Sequence, residues 1–541
     1  MTNQAGSRTL KAVTIAFFVS YLLIGLLVFK DYGISWDEIP TRRFGIMYVD
    51  RLVPNLAALD SVRAEGGPAY ERFGPFFEIV LVRAERLLQP MDLRTLFFRR
   101  HLATFLIFFA GVVFFHRFLR RRFGPGISLL ACVCLVSSPQ LFSHAFYNVK
   151  DIAFLTMFVA TMLTLDSLLS RPGWRTMVVH ALTTVILLGT RVLGIFAMML
   201  TAAGAFARRP TQRTVWLLFG YAVIAGVLLP LAWPVLQIDF AGVVGDAVMG
   251  TTSNPYLGAN LFRGRQISAA HLPWDYVPTW IVITTPVIIT ALFLVGSAVC
   301  AAQVARRPRE YFFKEEQRDL LVLLWFFMPV VGCMVLRPTL YDGWRHLFFV
   351  YPAMVYLAAI GMETIAGFAE TRAGAPRRRV ADAVLTAGLL LCLAPVVSFM
   401  VKNHPYEHLY FNRFAGKDMK EIKQRFELDY WGLSYRQALE YIVRTDSSPR
   451  IRVFPFTYPG RVNTAMLSPR DRARIDLVFS PDEADYVTTT YRSHPQDYPL
   501  AHEVYSVRVG NASIASVFLG GLKSATAPAP LPPTPSGVAP R

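Results

Sequence analysis

The chain has 541 residues, 54% of them hydrophobic, and a mean hydropathy of +0.39. Such a chain has too little polar surface to cover itself in water, which excludes an ordinary soluble protein and points to a polytopic membrane protein. The formal charge of +18 would suit nucleic acid, but the Lys and Arg residues fall in short clusters between apolar segments, where they act as topology signals, so no nucleic-acid partner is expected. The five cysteines, Cys132, Cys134, Cys300, Cys333 and Cys392, lie inside apolar stretches without metal-type spacing to histidine and read as small buried hydrophobes.

The first apolar run, 12–29, is long enough at about 1.5 Å per residue to cross a hydrocarbon core of roughly 30 Å. Arg8 and Lys11 precede it, but no small-residue cleavage site follows, so it reads as an uncleaved first helix. Ten further runs follow, at 97–115, 126–142, 152–169, 177–190, 192–206, 215–235, 277–302, 320–336, 347–365 and 381–401, giving about eleven spans. Basic clusters should mark alternate loops, and they do: Arg8/Lys11, Arg117 with Arg120 to Arg122, Arg171/Arg175, Arg208/Arg209/Arg213, Arg306/Arg307/Arg309 and Arg372 with Arg377 to Arg379 share one side. That places the N-terminus inside and the C-terminal region outside, and requires 177–206 to be two helices meeting at Thr190-Arg191.

The opposite loops differ in kind. The first, 30–96, carries two stretches with helical periodicity, 42–59 and 69–88, suited to lie along the membrane surface, with a turn at Glu65-Gly66-Gly67-Pro68 between them. The loop 237–276 holds turn signals such as Ser253-Asn254-Pro255-Tyr256 and is expected to be ordered only in part. Past Lys402 the composition becomes that of a soluble domain, 402–523, with strand-like runs at 452–455, 475–479, 486–490, 503–509 and 513–519 and a helix at 434–444, a small α/β domain. The last stretch, 524–541, is rich in Pro and Ala and reads as a flexible tail. Residues 1–401 form the transmembrane domain.

Polar residues gather at the outer helix ends in four groups: Ser35-Trp36-Asp37-Glu38 after the first span, His144-Ala145-Phe146-Tyr147-Asn148-Val149-Lys150-Asp151 before the fourth, Arg191 between the fifth and sixth, and Tyr341-Asp342-Gly343-Trp344-Arg345-His346 before the tenth. Each has a plain structural explanation. Asn148 and Asp151 have the spacing of a helix N-cap and an acidic first-turn residue, Arg191 suits a snorkelling interfacial residue, and Arg345-His346 suits the polar entrance to a span. His271, Trp274 and Asp275 read as ordinary loop residues. Taken singly these explanations suffice, yet they leave unexplained why complementary acids and bases share one face of a lipid-embedded bundle. Carboxylates facing guanidinium groups suit a reaction in which a hydroxyl is deprotonated while a phosphate departs, and a phosphate carried on an apolar chain would be met at the bilayer surface.

The acidic pair directly after the first span, the long outer loop with surface helices, the Asn-x-Lys-Asp entry to the fourth span, the Arg-His start of a late helix and the outward C-terminal domain together resemble the C-type, polyprenyl-phosphate-dependent glycosyltransferases, in particular the bacterial branch of the protein O-mannosyltransferase and aminoarabinose-transferase superfamily. The resemblance covers residues 10–400. Asn403-His404-Pro405-Tyr406 and Phe426-Glu427-Leu428-Asp429-Tyr430-Trp431-Gly432 look like features of bacterial members, with no role derivable from the sequence. The resemblance implies a multipass transferase of the bacterial cytoplasmic membrane, moving one sugar from a polyprenyl-phosphate donor to a protein, lipid or glycan acceptor on the periplasmic side with inversion. It implies that Asp37 activates the acceptor hydroxyl, Glu38 orients acceptor or sugar, and Asp151 holds sugar hydroxyls, a basic side chain or a metal. Arg345 binds the lipid phosphate, with Arg191 and Lys150 as weaker candidates, and Asn148, Tyr341 and His346 complete the substrate-binding set. No cofactor is implied beyond the lipid-linked donor; a divalent metal is allowed, without a convincing ligand set. His346 stands where Tyr is common, and some relatives have more helices. A transporter or lipid flippase, or a sensor or scaffold with an outer binding domain, are the competing readings; the position of the carboxylates at helix ends and the lack of an internal repeat weigh against a transporter.

Overall fold

The computed structural model describes residues 2–55, 74–88, 92–207, 211–245, 258–314, 317–373, 375–492, 494–500 and 502–521. The expected turn at 65–68, the start of the second surface stretch, the Ser253-Asn254-Pro255-Tyr256 turn, and the tail lie outside them. The first span is α1 (Thr2–Val28). Two surface elements follow: α2 (Glu38–Met47), which runs on as one π-helical turn, and α3 (Phe76–Leu87). They are tied to the next span, α4 (Leu93–Leu119), by Arg100, buried and donating to Glu78 (2.5 Å) and Glu85 (2.6 Å), while Arg42 of α2 also reaches Glu85 (2.9 Å). The described part of the second surface stretch is thus helical from Phe76, with Pro75 at its N-cap.

The expected straight span 126–142 is instead two helices, α5 (Pro125–Val136) and α6 (Pro139–Tyr147), bent by 65°. Pro139 has no N–H to continue α5 and Ser138 caps the new start, so the chain turns there. Consequently His144 to Tyr147 lie on a buried helix and not in an outer loop. Asn148 caps α7 (Val149–Ser170) as its position predicts, its Oδ1 accepting from the Asp151 N–H at 3.3 Å. The run 177–206 divides at Thr190-Arg191 as expected, into α8 (Trp174–Leu188) and α9 (Ile195–Ala207). After α10 (Gln212–Ala232), the loop forms a two-stranded hairpin, β1 (Ala259–Phe262) and β2 (Arg265–Ser268), on an Arg263-Gly264 turn with both residues at positive φ. The run 277–302 breaks at Pro286 into α11 (Tyr276–Thr284) and α12 (Val287–Arg306). A short α13 (Pro308–Phe313) leads to α14 (Gln317–Leu336), and a 3₁₀ segment, Arg345–Val350, leads to α15 (Tyr351–Ala373) and α16 (Ala375–Lys402).

Among the described residues eight helices are long and apolar enough to cross a membrane, nine if the bent pair α5–α6 counts as one broken span, and α8 and α9 are shorter apolar helices; these are the counterparts of the eleven expected apolar segments. α1, α10 and α16 are little buried and turn Leu27, Leu231 and Leu391 outward, as lipid-facing helices of a multipass membrane protein do. α15 is the central helix, buried over most of its span. It crosses α12 where Gly296 and Gly361 meet: a Cβ on Gly296 would lie 1.8 Å from the Leu357 carbonyl oxygen, so the backbones touch only because these positions are glycine.

Beyond α16 the chain forms α17 (Met419–Arg425), α18 (Tyr435–Thr445), β3 (Ile451–Pro455), three short helical turns, β4 (Ile475–Leu477), β5 (Tyr486–Thr490), β6 (Glu503–Val509) and β7 (Ala512–Leu519). The sheet order is β4-β3-β5-β7-β6, with β3 parallel to β4 and β5 and the β5–β7 and β7–β6 pairs antiparallel. All five strands and the helix stand where the sequence places them. This sheet does not stand apart: Tyr406, Phe426, Tyr430, Trp431 and Val509 belong to the same apolar core as the helices of the bundle.

Candidate active site

The site lies at the end of the bundle where α1 stops. Asp37 occupies the N-cap position of α2, and its carbonyl accepts from the Thr41 N–H and hydroxyl, both at 2.9 Å. Its carboxylate is 29% exposed and receives Arg345 Nη1 at 3.1 Å, with Lys150 Nζ 4.0 Å away. Burial pushes this carboxyl up, but Arg345 and Lys150 outweigh it and hold it below the usual carboxylate range. Glu38, its neighbour in sequence, faces the other way. It is buried, with Oε2 accepting from the Ser35 N–H at 2.7 Å and Oε1 2.9 Å from His101 Nε2. Both oxygens are engaged within the fold, Oε2 closing back on the amide of Ser35 three residues upstream and Oε1 meeting His101 of α4.

Asp151 is fully enclosed. Arg191 Nη2 donates to its Oδ1, while Oδ2 accepts from Asn148 Nδ2 at 2.7 Å and lies 3.3 Å from Arg345 Nη1. Arg345 is buried and touches three carboxylates, since Nη2 also reaches Asp342 Oδ2 at 3.3 Å. Its guanidinium lies between two rings, 4.9 Å from the centroid of Tyr341 and 4.7 Å from that of Trp431. The Nε of Arg345 and that of Arg191 are buried without a hydrogen-bond partner. The His346 ring meets Tyr341 edge-on at 5.0 Å and its buried Nδ1 has no hydrogen-bond partner. Burial pushes the Tyr341 phenol up to about 12. Thus Asp37, Asp151, Asn148, Lys150, Arg191, Tyr341, Arg345 and His346 are gathered at one place. Four cations (Lys150, Arg191, Arg345 and Arg492) face three carboxylates (Asp37, Asp151 and Asp342).

A cavity of about 160 Å³ opens beside this cluster, lined by Asp37, Thr41, Glu78, Lys150, Thr190 and Tyr341 among others. Gly74 brings α3 to its rim: the Phe76 N–H donates to the Gly189 carbonyl at 3.0 Å, and a Cβ on Gly74 would lie 2.2 Å from that oxygen. Against the opposite side of α3 lies an apolar groove of about 400 Å³ walled by Val53, Phe76, Ile79, Val80 and Leu231, with Arg83 at its edge. Among the described residues no three His, Cys, Asp or Glu side chains converge as a metal-binding group. His271, Trp274 and Asp275 stay outside the cluster, as expected of loop residues; Asp275 pairs with Arg263 on the hairpin turn at 2.8 Å.

Sequence reasoning missed three participants. Glu78 is a surface-helix carboxylate that its partner Arg100 holds at the cavity wall. Trp431 belongs to a segment singled out without a role, and Arg492 is a lone loop arginine with no local signal. Arg492 Nη2 donates to Asp342 Oδ1 at 2.7 Å, and its guanidinium lies 4.9 Å from the Trp36 ring. Burial pushes the Asp342 carboxyl above the usual range despite Arg492 and Arg345 beside it.

No protein-family model matches the sequence, and no curated protein matches it. Among solved structures the chain is similar to ArnT from Cupriavidus metallidurans in the apo state, with 11% identity and a TM-score of 0.49 over 95% of this chain and 98% of that one. It is similar to the Archaeoglobus fulgidus oligosaccharyltransferase in the apo form, with 11% identity and a TM-score of 0.45 over 87% of this chain and 69% of that one. It is also similar to the arabinofuranosyltransferase AftD from Mycobacteria, with 12% identity and a TM-score of 0.39 over 94% of this chain and 40% of that one.

Proposed function

We propose that the protein is a membrane glycosyltransferase that takes a sugar from a polyprenyl-phosphate carrier and transfers it to an acceptor hydroxyl at the periplasmic face of the cytoplasmic membrane. The observation that carries this reading is the meeting of Asp37, Asp151, Arg345, Arg191 and Lys150 beside a cavity, next to a surface helix whose far side forms an apolar groove. The sugar phosphate belongs in the cavity and the isoprenoid chain in the groove, with α3 between them. The resemblance of the sequence to polyprenyl-phosphate-dependent glycosyltransferases supports the same assignment.

In this mechanism Arg345, with Lys150 and Arg191, holds the phosphate. Arg345 Nη1 is shared between Asp37 and Asp151, so an arriving phosphate competes for it. As the guanidinium turns to phosphate oxygens, Asp37 loses its nearest cation and becomes a better base. The Asp37 carboxylate takes the proton of the acceptor hydroxyl, whose oxygen attacks the anomeric carbon. The bond from that carbon to the phosphate oxygen breaks, the electron pair leaves on the phosphate, and the guanidinium fork stabilises the added charge. Attack opposite the leaving group inverts the anomeric centre.

The test is transfer from undecaprenyl-phosphate monosaccharides, radiolabelled in the sugar, by the full chain in nanodiscs. Asp37→Asn is expected to reduce transfer by about 10²-fold or more while leaving binding of undecaprenyl phosphate within a few-fold, the scale of losing a general base. Full transfer by a folded, inserted Asp37→Asn protein overturns the mechanism.

A further inference from the structure

The segment that follows the bundle contributes groups to the cluster just described, and they converge from separate elements. The Trp431 carbonyl accepts from the Trp36 N–H at 3.1 Å, next to Asp37. Asn463 clamps Ile34, two residues before Trp36, on both sides, its Oδ1 accepting from the Ile34 N–H and its Nδ2 donating to the Ile34 carbonyl, each at 2.9 Å. Arg436 donates to the Tyr32 carbonyl at 2.9 Å. Gly33 packs against the same region, where a Cβ would lie 2.6 Å from Asn463 Oδ1 and 2.7 Å from the Leu433 carbonyl oxygen. The chain leading to Asp37 is therefore fastened by residues that enter the fold only after the last span.

The second connection runs through side chains. Arg492 is anchored by the Tyr430 carbonyl, which accepts from Nη1 at 2.7 Å, and by the face of Trp36. From that anchor it holds one oxygen of Asp342 at 2.7 Å; the other oxygen lies 3.3 Å from Arg345 Nη2. Asp342 sits at φ 58 and Gly343 at φ 71, a left-handed pair that fixes where the carboxylate points. Arg492, Asp342, Arg345 and Asp37 thus form one chain of alternating charge. A carboxylate shared between two guanidiniums pulls on each less than it would pull on one alone.

We infer that the C-terminal domain is part of the catalytic centre, and that Arg492 is a positioning residue that, by occupying Asp342, leaves Arg345 free to exchange Asp37 for an incoming phosphate. This rests on the reading of Arg345 as the phosphate-binding group. Without Arg492, Asp342 has Arg345 as its remaining guanidinium and draws it away from the cavity. Removing the Asp342 charge as well releases it.

The experiment is a double-mutant cycle in the full-length protein in nanodiscs, reading the affinity for undecaprenyl phosphate. Arg492→Met is expected to weaken binding about tenfold in the native background and by less than about threefold in an Asp342→Asn background, whereas Arg492→Lys stays within about threefold of native. A simple field effect of the lost charge would cost the same in both backgrounds, and that result overturns the inference while leaving the proposed function intact. If the native protein does not bind undecaprenyl phosphate, the proposed function falls first. Amide hydrogen exchange then still reads the coupling without ligand: Arg492→Met should speed exchange across residues 341–346, and Asp342→Asn should remove that difference. Unchanged exchange in Arg492→Met overturns the coupling itself.

Discussion

Asp37 and Glu38 are adjacent, chemically alike and differently employed, and the difference lies in what each carboxylate touches. Glu38 accepts a backbone N–H and faces a buried histidine, so Glu38→Gln leaves groups imperfectly paired and should cost about 1–3 kcal/mol of stability, read as a lower melting midpoint in detergent. Asp37→Asn, at a partly exposed position, should leave that midpoint nearly unchanged while lowering transfer by about 10²-fold or more. The Asp37 carboxyl is held below its ordinary value near 3.9. Its ionised form is therefore fully present above that value and lost only as pH falls through the lower folded one, so the acidic limb of kcat/KM set by Asp37 should lie below about pH 4. His404 behaves in the opposite sense. Burial lowers it, but Glu407 at 2.5 Å from Nδ1 and Asp31 at 3.0 Å from Nε2 outweigh burial and raise it above the usual range. The stability it contributes is fully present below about pH 6.5 and lost as pH rises through the raised value. The difference in melting midpoint between native protein and His404→Gln should accordingly shrink as pH rises through the folded value, and a difference independent of pH would refute the double pairing.

At the scale of elements, two expected spans break where hydropathy alone predicts continuity. Hydropathy adds side-chain transfer energies and is blind to a missing backbone N–H, so Pro139 and Pro286 interrupt runs that score as unbroken. The consequence of the first break is functional, because the turn buries His144 and carries the chain to the Asn148 cap from which Asp151 projects. His144 Nδ1 lies 2.9 Å from Asn148 Nδ2, which also donates to Asp151. The crossing of α12 and α15 makes a different demand. Gly361→Ala would place a Cβ 2.3 Å from the Leu292 carbonyl oxygen of the facing helix, forcing the pair apart at a cost of about 1–3 kcal/mol. Because Arg345 opens the 3₁₀ segment that leads directly into α15, phosphate binding should weaken together with the melting midpoint; an unaltered midpoint would show that the helices can separate freely.

On the scale of the whole molecule, the part of the chain beyond the last span shares one apolar core with the bundle, and its Trp431, Arg436 and Asn463 grip the loop that carries Asp37. A chain ending at Lys402 would expose the surfaces now covered by Tyr406, Phe426, Tyr430 and Trp431, and is expected to aggregate or to lose undecaprenyl phosphate binding; a monodisperse truncated protein with native affinity would contradict this. The sequence by itself determined the eleven apolar segments, the split at Thr190-Arg191, the Asn148 cap and the five strands, because hydropathy, capping and alternation are properties of residues within a few positions of one another. It also singled out Asp37, Asp151, Arg191 and Arg345 by their places at helix ends. Only the tertiary structure decided which carboxylate of the acidic pair meets the cavity and which braces the loop, and that Trp431 and Arg492 stand beside Arg345. Those outcomes depend on packing between elements far apart in the chain, where a rotation of one helix exchanges a buried carboxylate for an accessible one without changing any local pattern.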